Sequence, residues 1–98
     1  MNRHEKYIER SDLKGATHLE VTVYYTKGGG AMLRGYYITV RPATKRDGMV
    51  SFNLFSGRRQ LLFETSRLTK KQFAKAVEMA KGIEDELIAV VVAENQAA

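Results

Sequence analysis

Aromatic, cationic and small polar side chains recur in the middle of this chain, at positions that alternate with apolar ones. Tyr24 follows this alternation in one segment, and Tyr37 and Arg41 follow it in the next. Aromatic rings stack on unpaired bases and cations neutralise phosphates, so this combination is typical of surfaces that bind single-stranded nucleic acid. The candidate binding residues are Tyr24, Tyr37, Arg41, Phe55 and Arg58 on one face of a sheet, with Lys45, Arg46 and Arg59 at its edges.

The charge is concentrated in the same part of the chain. The 98 residues include 16 basic and 11 acidic ones, a net charge of +5. Residues 27–75 carry eleven basic and two acidic side chains, whereas residues 76–98 carry one basic and five acidic ones. A basic segment of this kind attracts an anionic partner. The alternative is a solvated surface whose charge only keeps the protein soluble.

Catalytic and metal-binding chemistry has few candidates. The chain has no cysteine, which excludes thiol nucleophiles, disulfides, iron–sulfur clusters and the common zinc ribbons. The two histidines, His4 and His18, are far apart in sequence, and the consecutive acids 84–86 point in different directions on a helix. The glycines at 28–30 lack the GK[ST] continuation of a phosphate loop. We therefore expect no enzyme, no cofactor and no metal site.

The elements that must position the candidate residues are four strands with a period of two. Glycine and Asp-Gly turns separate these strands, and such short connections favour an antiparallel meander. Pro42 predicts the end of the second strand, because proline cannot donate to a ladder. The predicted strands cover residues 18–26, 36–41, 49–55 and 58–65. The predicted apolar face carries Leu19, Val21, Val23, Ile38, Val40, Val50, Phe52, Leu54, Leu61 and Phe63, which leaves the opposite face open.

A long helix follows the strands. Thr69 and Gln72 have the spacing of a capping box, and an apolar stripe with helical spacing continues from Phe73. The helix is predicted within residues 69–93, and its residues 70–92 measure about 35 Å, whereas four strands span only about 19 Å. Unless the helix lies nearly along the strands, its apolar last turns overhang, and a second copy of the chain is then the cover we expect. The alternative is that residues 88–93 form a fifth strand.

Together these elements predict one α+β domain over residues 1–98, with the order ββββα. The sheet lies within residues 17–66, and the first 16 residues show no clear period, so Tyr7, Ile8 and Leu13 could pack on the sheet or form a short helix. The start of the chain leads into no apolar run, so we expect no signal peptide. The longest apolar stretch, residues 87–93, is far below the roughly 20 residues of a membrane span. We expect no membrane partner.

Two resemblances add to these expectations. The runs Arg34-Gly35-Tyr36-Tyr37, Leu54-Phe55-Ser56-Gly57 and Leu61-Leu62-Phe63-Glu64, with a Lys/Ala/Glu-rich helix after them, resemble small proteins of Firmicutes mobile elements over residues 19–92. This resemblance implies a bacterial cytoplasmic protein connected with conjugative elements or phages, and it transfers no site residues. In topology alone, four strands and a long helix resemble the whirly and positive-coactivator type of single-stranded DNA-binding proteins. Members of that class dimerise through the helix and bind single strands on the sheet.

The sequence therefore predicts non-catalytic binding of single-stranded nucleic acid, with single-stranded DNA favoured, by a homodimer formed through the C-terminal helix. Two alternatives stay open. One is a protein–protein adaptor whose aromatic face and apolar helix end both contact polypeptide. The other is an accessory protein that lays its sheet in the major groove of duplex DNA. The alternative to an open binding face is that Tyr24, Tyr37 and Phe55 are buried under the N-terminal segment or against another subunit.

Overall fold

A computed structural model describes residues 3–52 and 57–98. Within these ranges an antiparallel sheet precedes a single C-terminal helix, so the predicted α+β class is confirmed. The elements are β1 (Arg3–Glu9), β2 (His18–Thr26), β3 (Gly35–Arg46), β4 (Met49–Phe52), β5 (Arg58–Glu64) and α1 (Lys70–Ala97).

The sheet is a meander through its first four strands, and its last strand returns to β3. The strand order is β1-β2-β3-β4, and β5 also pairs with β3. The β5 pairing ends at Val40 and the β4 pairing begins at Ala43, so these two strands lie end to end along one edge of β3. The twelve residues of β3 are long enough to pair with both.

β3 continues through Pro42, where we expected the strand to end. Pro42 lies opposite Leu19 of β2. On the other edge of β3, residue 42 falls between the last β5 pair at Val40 and the first β4 pair at Ala43. Among residues 3–52 and 57–98, no strand pairs with Pro42 on that edge, so the ladders described there do not need the N–H that proline lacks.

β1 is a strand that the sequence pattern did not reveal. It pairs with β2 in a register that sets Lys6 opposite Val21 and Ile8 opposite Leu19. Five of its seven side chains are exposed. A strand at the edge of a sheet that buries so little has no apolar face to impose a period of two on its sequence.

The helix covers one face of the sheet and runs along β3. At one end the ring of Phe73 lies 6.2 Å from that of Tyr36, and at the other end Arg58 pairs with Glu94. The faces predicted for β2 and β3 are confirmed, because their apolar side chains form the core with α1. The buried core cluster comprises Leu19, Val21, Val23, Tyr36, Ile38, Val40, Ala76, Ala80, Leu87, Val91 and Val92.

Both ends of α1 are held by the chain itself. The hydroxyl of Thr69 accepts a hydrogen bond from the Gln72 N–H at 3.1 Å, which is the helix-capping bond predicted for Thr69. Near the other end, Asn95 accepts from the Lys14 N–H at 2.7 Å and donates to the Lys14 carbonyl at 3.0 Å. The prediction of an overhanging helix end was wrong, because the helix lies along the strands and the β1–β2 connection contacts its last turns. Residues 88–93 are helical.

The face of the sheet opposite α1 is called the outer face below. Residues directly opposite each other on neighbouring strands point to the same face, so the register defines it. Three rows of side chains cross it: Arg3, Tyr24, Tyr37 and Leu61; Glu5, Thr22, Thr39 and Arg59; and Tyr7, Glu20 and Arg41. Alternation in β3 continues this face to Ala43 and Lys45, and their β4 partners are Phe52 and Val50.

The faces predicted for β4 and for part of β5 were wrong. Val50 and Phe52 lie on the outer face, because they pair with Lys45 and Ala43. In β5, Leu61 pairs with Tyr37 and Phe63 with the adjacent Tyr36, so one extra residue intervenes. This bulge reverses the alternation, which turns Leu61 to the outer face while Phe63 packs on the core.

Candidate nucleic-acid interface

Four aromatic rings on the outer face each have a cation over them. The Arg3 and Arg59 guanidinium carbons lie 5.8 and 5.9 Å from the centres of two tyrosine rings. The Arg41 carbon lies 3.6 Å from a phenylalanine ring, and Lys45 Nζ lies 4.7 Å from a tyrosine ring. The pairs are Arg3 with Tyr24, Arg59 with Tyr37, Arg41 with Phe52 and Lys45 with Tyr7. These contacts hold the cations at the surface, where they can meet an anion.

The two central tyrosines have different exposures. Tyr24 and Tyr37 stack on each other with ring centres 5.9 Å apart and planes 23° apart. Tyr37 is only 6% exposed, and its hydroxyl donates to the Leu33 carbonyl at 2.7 Å. Tyr24 is half-buried. Tyr37 therefore supports the outer face from below, and Tyr24 is the ring of this pair that solvent reaches.

A buried carboxylate positions Arg41. The Glu20 side chain is 4% exposed and accepts from Arg41 Nε at 2.9 Å and from the Tyr7 hydroxyl at 3.2 Å. The Arg41 side chain keeps 34% of its surface exposed, so its guanidinium still reaches solvent. Burial raises the pKa of Tyr7 above its usual value of 10.0, and the Glu20 charge raises this pKa further. The phenol therefore stays protonated and donates at neutral pH.

Most of the predicted site residues come together. Tyr24, Tyr37, Arg41, Lys45 and Arg59 all lie on the outer face. Arg46 ends β3, is exposed, and stands beside the turn of Asp47, where φ is +53°, and Gly48.

Three predicted residues do not join this group. Arg46 follows Lys45 in β3 and therefore points to the other face. Arg58 lies opposite Val40, on the side of the sheet that α1 covers, and its Nε donates to Glu94 at 2.7 Å. Its predicted placement on the open face was wrong, because β5 brings Arg59 to that face instead. Phe55 lies outside the described residues.

The sequence pattern did not predict three residues of this surface. Arg3 and Tyr7 belong to the exposed edge strand β1, which has no apolar alternation to reveal it. Phe52 was predicted to lie in the core. The spacing of two residues between Val50 and Phe52 shows that both point to the same face of the sheet, but it does not show which face is buried. The pattern Arg3-Glu5-Tyr7, which alternates with His4-Lys6-Ile8, was the only available signal for β1.

Charge divides the outer face into two halves. The β3, β4 and β5 half carries three cations and one acid, namely Arg41, Lys45, Arg59 and Glu64. The β1 edge carries one cation and two acids, namely Arg3, Glu5 and Glu9. An anionic chain is attracted to the β3–β5 half, because this half carries the larger number of cations.

Other chemistry is sparse in the part of the chain that the structure describes. Among residues 3–52 and 57–98, no three histidine or acidic side chains come together as metal ligands. Within the same ranges, no helix combines the length and the apolar character needed to cross a bilayer. Comparisons with family models, curated proteins and solved structures give no match for this chain.

Proposed function

We propose that the protein binds single-stranded nucleic acid, with single-stranded DNA favoured, on its outer face and without catalysis. One observation carries this proposal. Of the five cation–ring contacts among the described residues, four lie on the sheet face that α1 leaves uncovered, and the fifth, Lys75 over Phe63, lies on the other face. Rings for bases and cations for phosphates are the two groups that single-strand binding needs.

The arrangement of these groups favours a single strand over a duplex. Arg59 lies opposite Thr39, and Arg41 and Lys45 follow two and six residues further along β3, so a flexible backbone can follow the three cations. Tyr24 offers a partly exposed ring next to this basic half. A duplex presents its phosphates but keeps its base faces stacked inside, where such a ring cannot reach them.

We include a homodimer in this proposal, formed along the side of α1. The exposed apolar residues of the helix support it, since Met79 is 40% and Val90 45% exposed. Val90 borders a surface cavity that Ile83, Leu87 and β5 also line. Sedimentation that shows a stable monomer at micromolar concentration would contradict the dimer. The resemblance to mobile-element proteins supports a bacterial cytoplasmic setting for the proposed activity.

The test is a salt titration of binding to a labelled mixed-sequence oligonucleotide, as a single strand and as a duplex. We expect the single strand to bind more tightly, with a log–log salt slope of about −0.7 for each neutralised phosphate. Arg59→Ala should weaken binding and reduce that slope by about 0.7, since it removes one phosphate contact. Arg67→Ala is the matched control. The core residue Tyr36, which faces α1, donates to the Arg67 carbonyl, so Arg67 lies away from the outer face and its replacement should leave the slope unchanged.

Three outcomes contradict the proposal. Binding of neither form at about 50 mM salt, a concentration at which phosphate contacts are strong, favours the adaptor. Tighter binding of the duplex favours the duplex-DNA accessory protein. Equal effects of Arg67→Ala and Arg59→Ala would mean that the outer face is not the binding surface.

A further inference from the structure

The connection between β2 and β3 is a loop whose tip is a hydrogen-bonded turn. The backbones of Gly29 and Met32 exchange two hydrogen bonds of 3.0 Å, which closes a two-residue turn. Gly30 takes the first central position with φ +59°, a conformation that glycine adopts without strain. Gly28 has φ +80°, and a β-carbon there would lie 2.5 Å from the Met32 carbonyl oxygen. The tip is therefore preorganised.

This loop tip forms one wall of a cavity on the outer face. The cavity has a volume of about 360 Å³ and is lined by Gly29, Ala31, Met32, Tyr37 and Arg59. The hydrogen bond from the Tyr37 hydroxyl to the Leu33 carbonyl ties the loop to the sheet beneath. Arg59 borders a second, smaller cavity of about 160 Å³, which is also lined by Thr39, Val40, Arg41, Gly57 and Arg58. Arg59 thus borders both cavities, and Arg41 borders the second one.

We propose that the first cavity, called the base pocket below, holds one unpaired nucleobase of a bound single strand. This inference rests on the function proposed above. The planar guanidinium of Arg59 supplies a stacking surface and Met32 an apolar wall, and both suit the flat face of a base. The phosphate next to that base enters the second cavity, between Arg59 and Arg41, where charge complementarity favours it.

The pocket accepts different bases. The N–H and carbonyl of Gly29 both bond to Met32, so this part of the wall has its hydrogen-bonding groups engaged within the loop. Recognition then depends mainly on stacking, which every base offers. We expect little preference among the four bases at this position.

The test compares binding of an ordinary single strand with binding of a strand of the same length that lacks its bases. Wild type should prefer the ordinary strand. Met32→Ala should weaken binding of the ordinary strand about fivefold or more, which corresponds to the lower end of base stacking, and leave binding of the abasic strand unchanged. Leu33→Ala is the matched control, because the Leu33 side chain is 52% exposed and does not line the pocket. It should bind both strands as wild type does.

A second variant separates stacking from charge. Arg59→Lys keeps the charge and loses the planar group, so it should weaken binding of the ordinary strand while the salt slope stays unchanged. The base pocket is overturned if Met32→Ala weakens binding of the ordinary and the abasic strand equally. It is also overturned if Met32→Ala and Leu33→Ala weaken binding of the ordinary strand equally. Both outcomes leave the proposed function intact. If wild type binds neither strand, the proposed function fails and the pocket with it. Circular dichroism of each variant confirms that the comparison is made between folded proteins.

Discussion

Arg41 lies with its guanidinium carbon 3.6 Å from the centre of the Phe52 ring, while its Nε donates to Glu20 at 2.9 Å. One side chain of β3 thereby joins β2 on one edge to β4 on the other. Both contacts of Arg41 lie on the outer face, which α1 does not cover. Glu20 is almost fully buried there, since the Tyr7 and Arg41 side chains pack over it.

This network predicts an asymmetric response to two substitutions. Glu20→Gln should lower the free energy of unfolding by about 1–3 kcal/mol, because it removes a charged acceptor from a buried position. Tyr7→Phe removes only one hydrogen bond to the same carboxylate and should cost less, about 0.5–1.5 kcal/mol. Urea denaturation at neutral pH measures both. If Glu20→Gln is as stable as wild type, the network does not hold the outer face together.

Tyr37 should behave as a core residue despite its place on the outer face. With 6% of its surface exposed, its replacement by alanine leaves a cavity, and we expect Tyr37→Ala to cost about 3–5 kcal/mol. Tyr24→Ala should cost less, because Tyr24 is half-buried, and it should weaken binding of a single strand. Thermal denaturation and a binding titration separate the two effects. A fully stable Tyr37→Ala variant would contradict the supporting role of this ring.

Two glycines should respond to alanine in opposite directions. Gly57 has φ +108°, and a β-carbon there would lie 2.6 Å from Arg41 Cβ and 2.7 Å from the Val40 carbonyl. Gly57→Ala should therefore cost more than about 1 kcal/mol through backbone strain and this close approach. Gly82 lies within α1 with open space around it, so Gly82→Ala should stabilise the protein by about 0.5–1 kcal/mol. Chemical denaturation of the two variants tests the pair, and a stabilising Gly57→Ala would contradict the close packing of residue 57 on β3.

The Arg58–Glu94 pair predicts how stability depends on pH. The hydrogen bond from Arg58 holds the pKa of Glu94 below its usual value of 4.5 in the folded protein. The pair therefore stabilises the fold fully at pH values above the pKa that Glu94 has in the unfolded chain. This contribution is lost as the pH falls through the lowered pKa of Glu94 in the folded protein. Glu94→Gln should be less stable than wild type at neutral pH and equally stable in strong acid.

Unfolding measured at several pH values tests this prediction, with Glu86→Gln on the same helix as the control. A difference between wild type and Glu94→Gln that does not change with pH would mean that Glu94 acts through packing alone.

The local sequence pattern was sufficient for the elements that bury one face. Leu19, Val21 and Val23 alternate because one side of β2 contacts the helix, so their spacing predicted both the strand and its core face. Thr69 predicted the start of α1, because a helix cap depends on residues only three positions apart. The α+β class follows from these local signals. The concentration of aromatic and basic residues in the middle of the chain can also be seen in the sequence alone.

Only the tertiary structure decided which side chains share the outer face. Arg58 and Arg59 are consecutive basic residues, and their sequence does not distinguish the one that pairs with Glu94 from the one that lies over Tyr37. That choice depends on the register of β5 against β3, and the bulge at Leu61–Phe63 changes it again within the same strand. A period of two identifies residues that face the same way, but contacts between distant parts of the chain determine which face is buried.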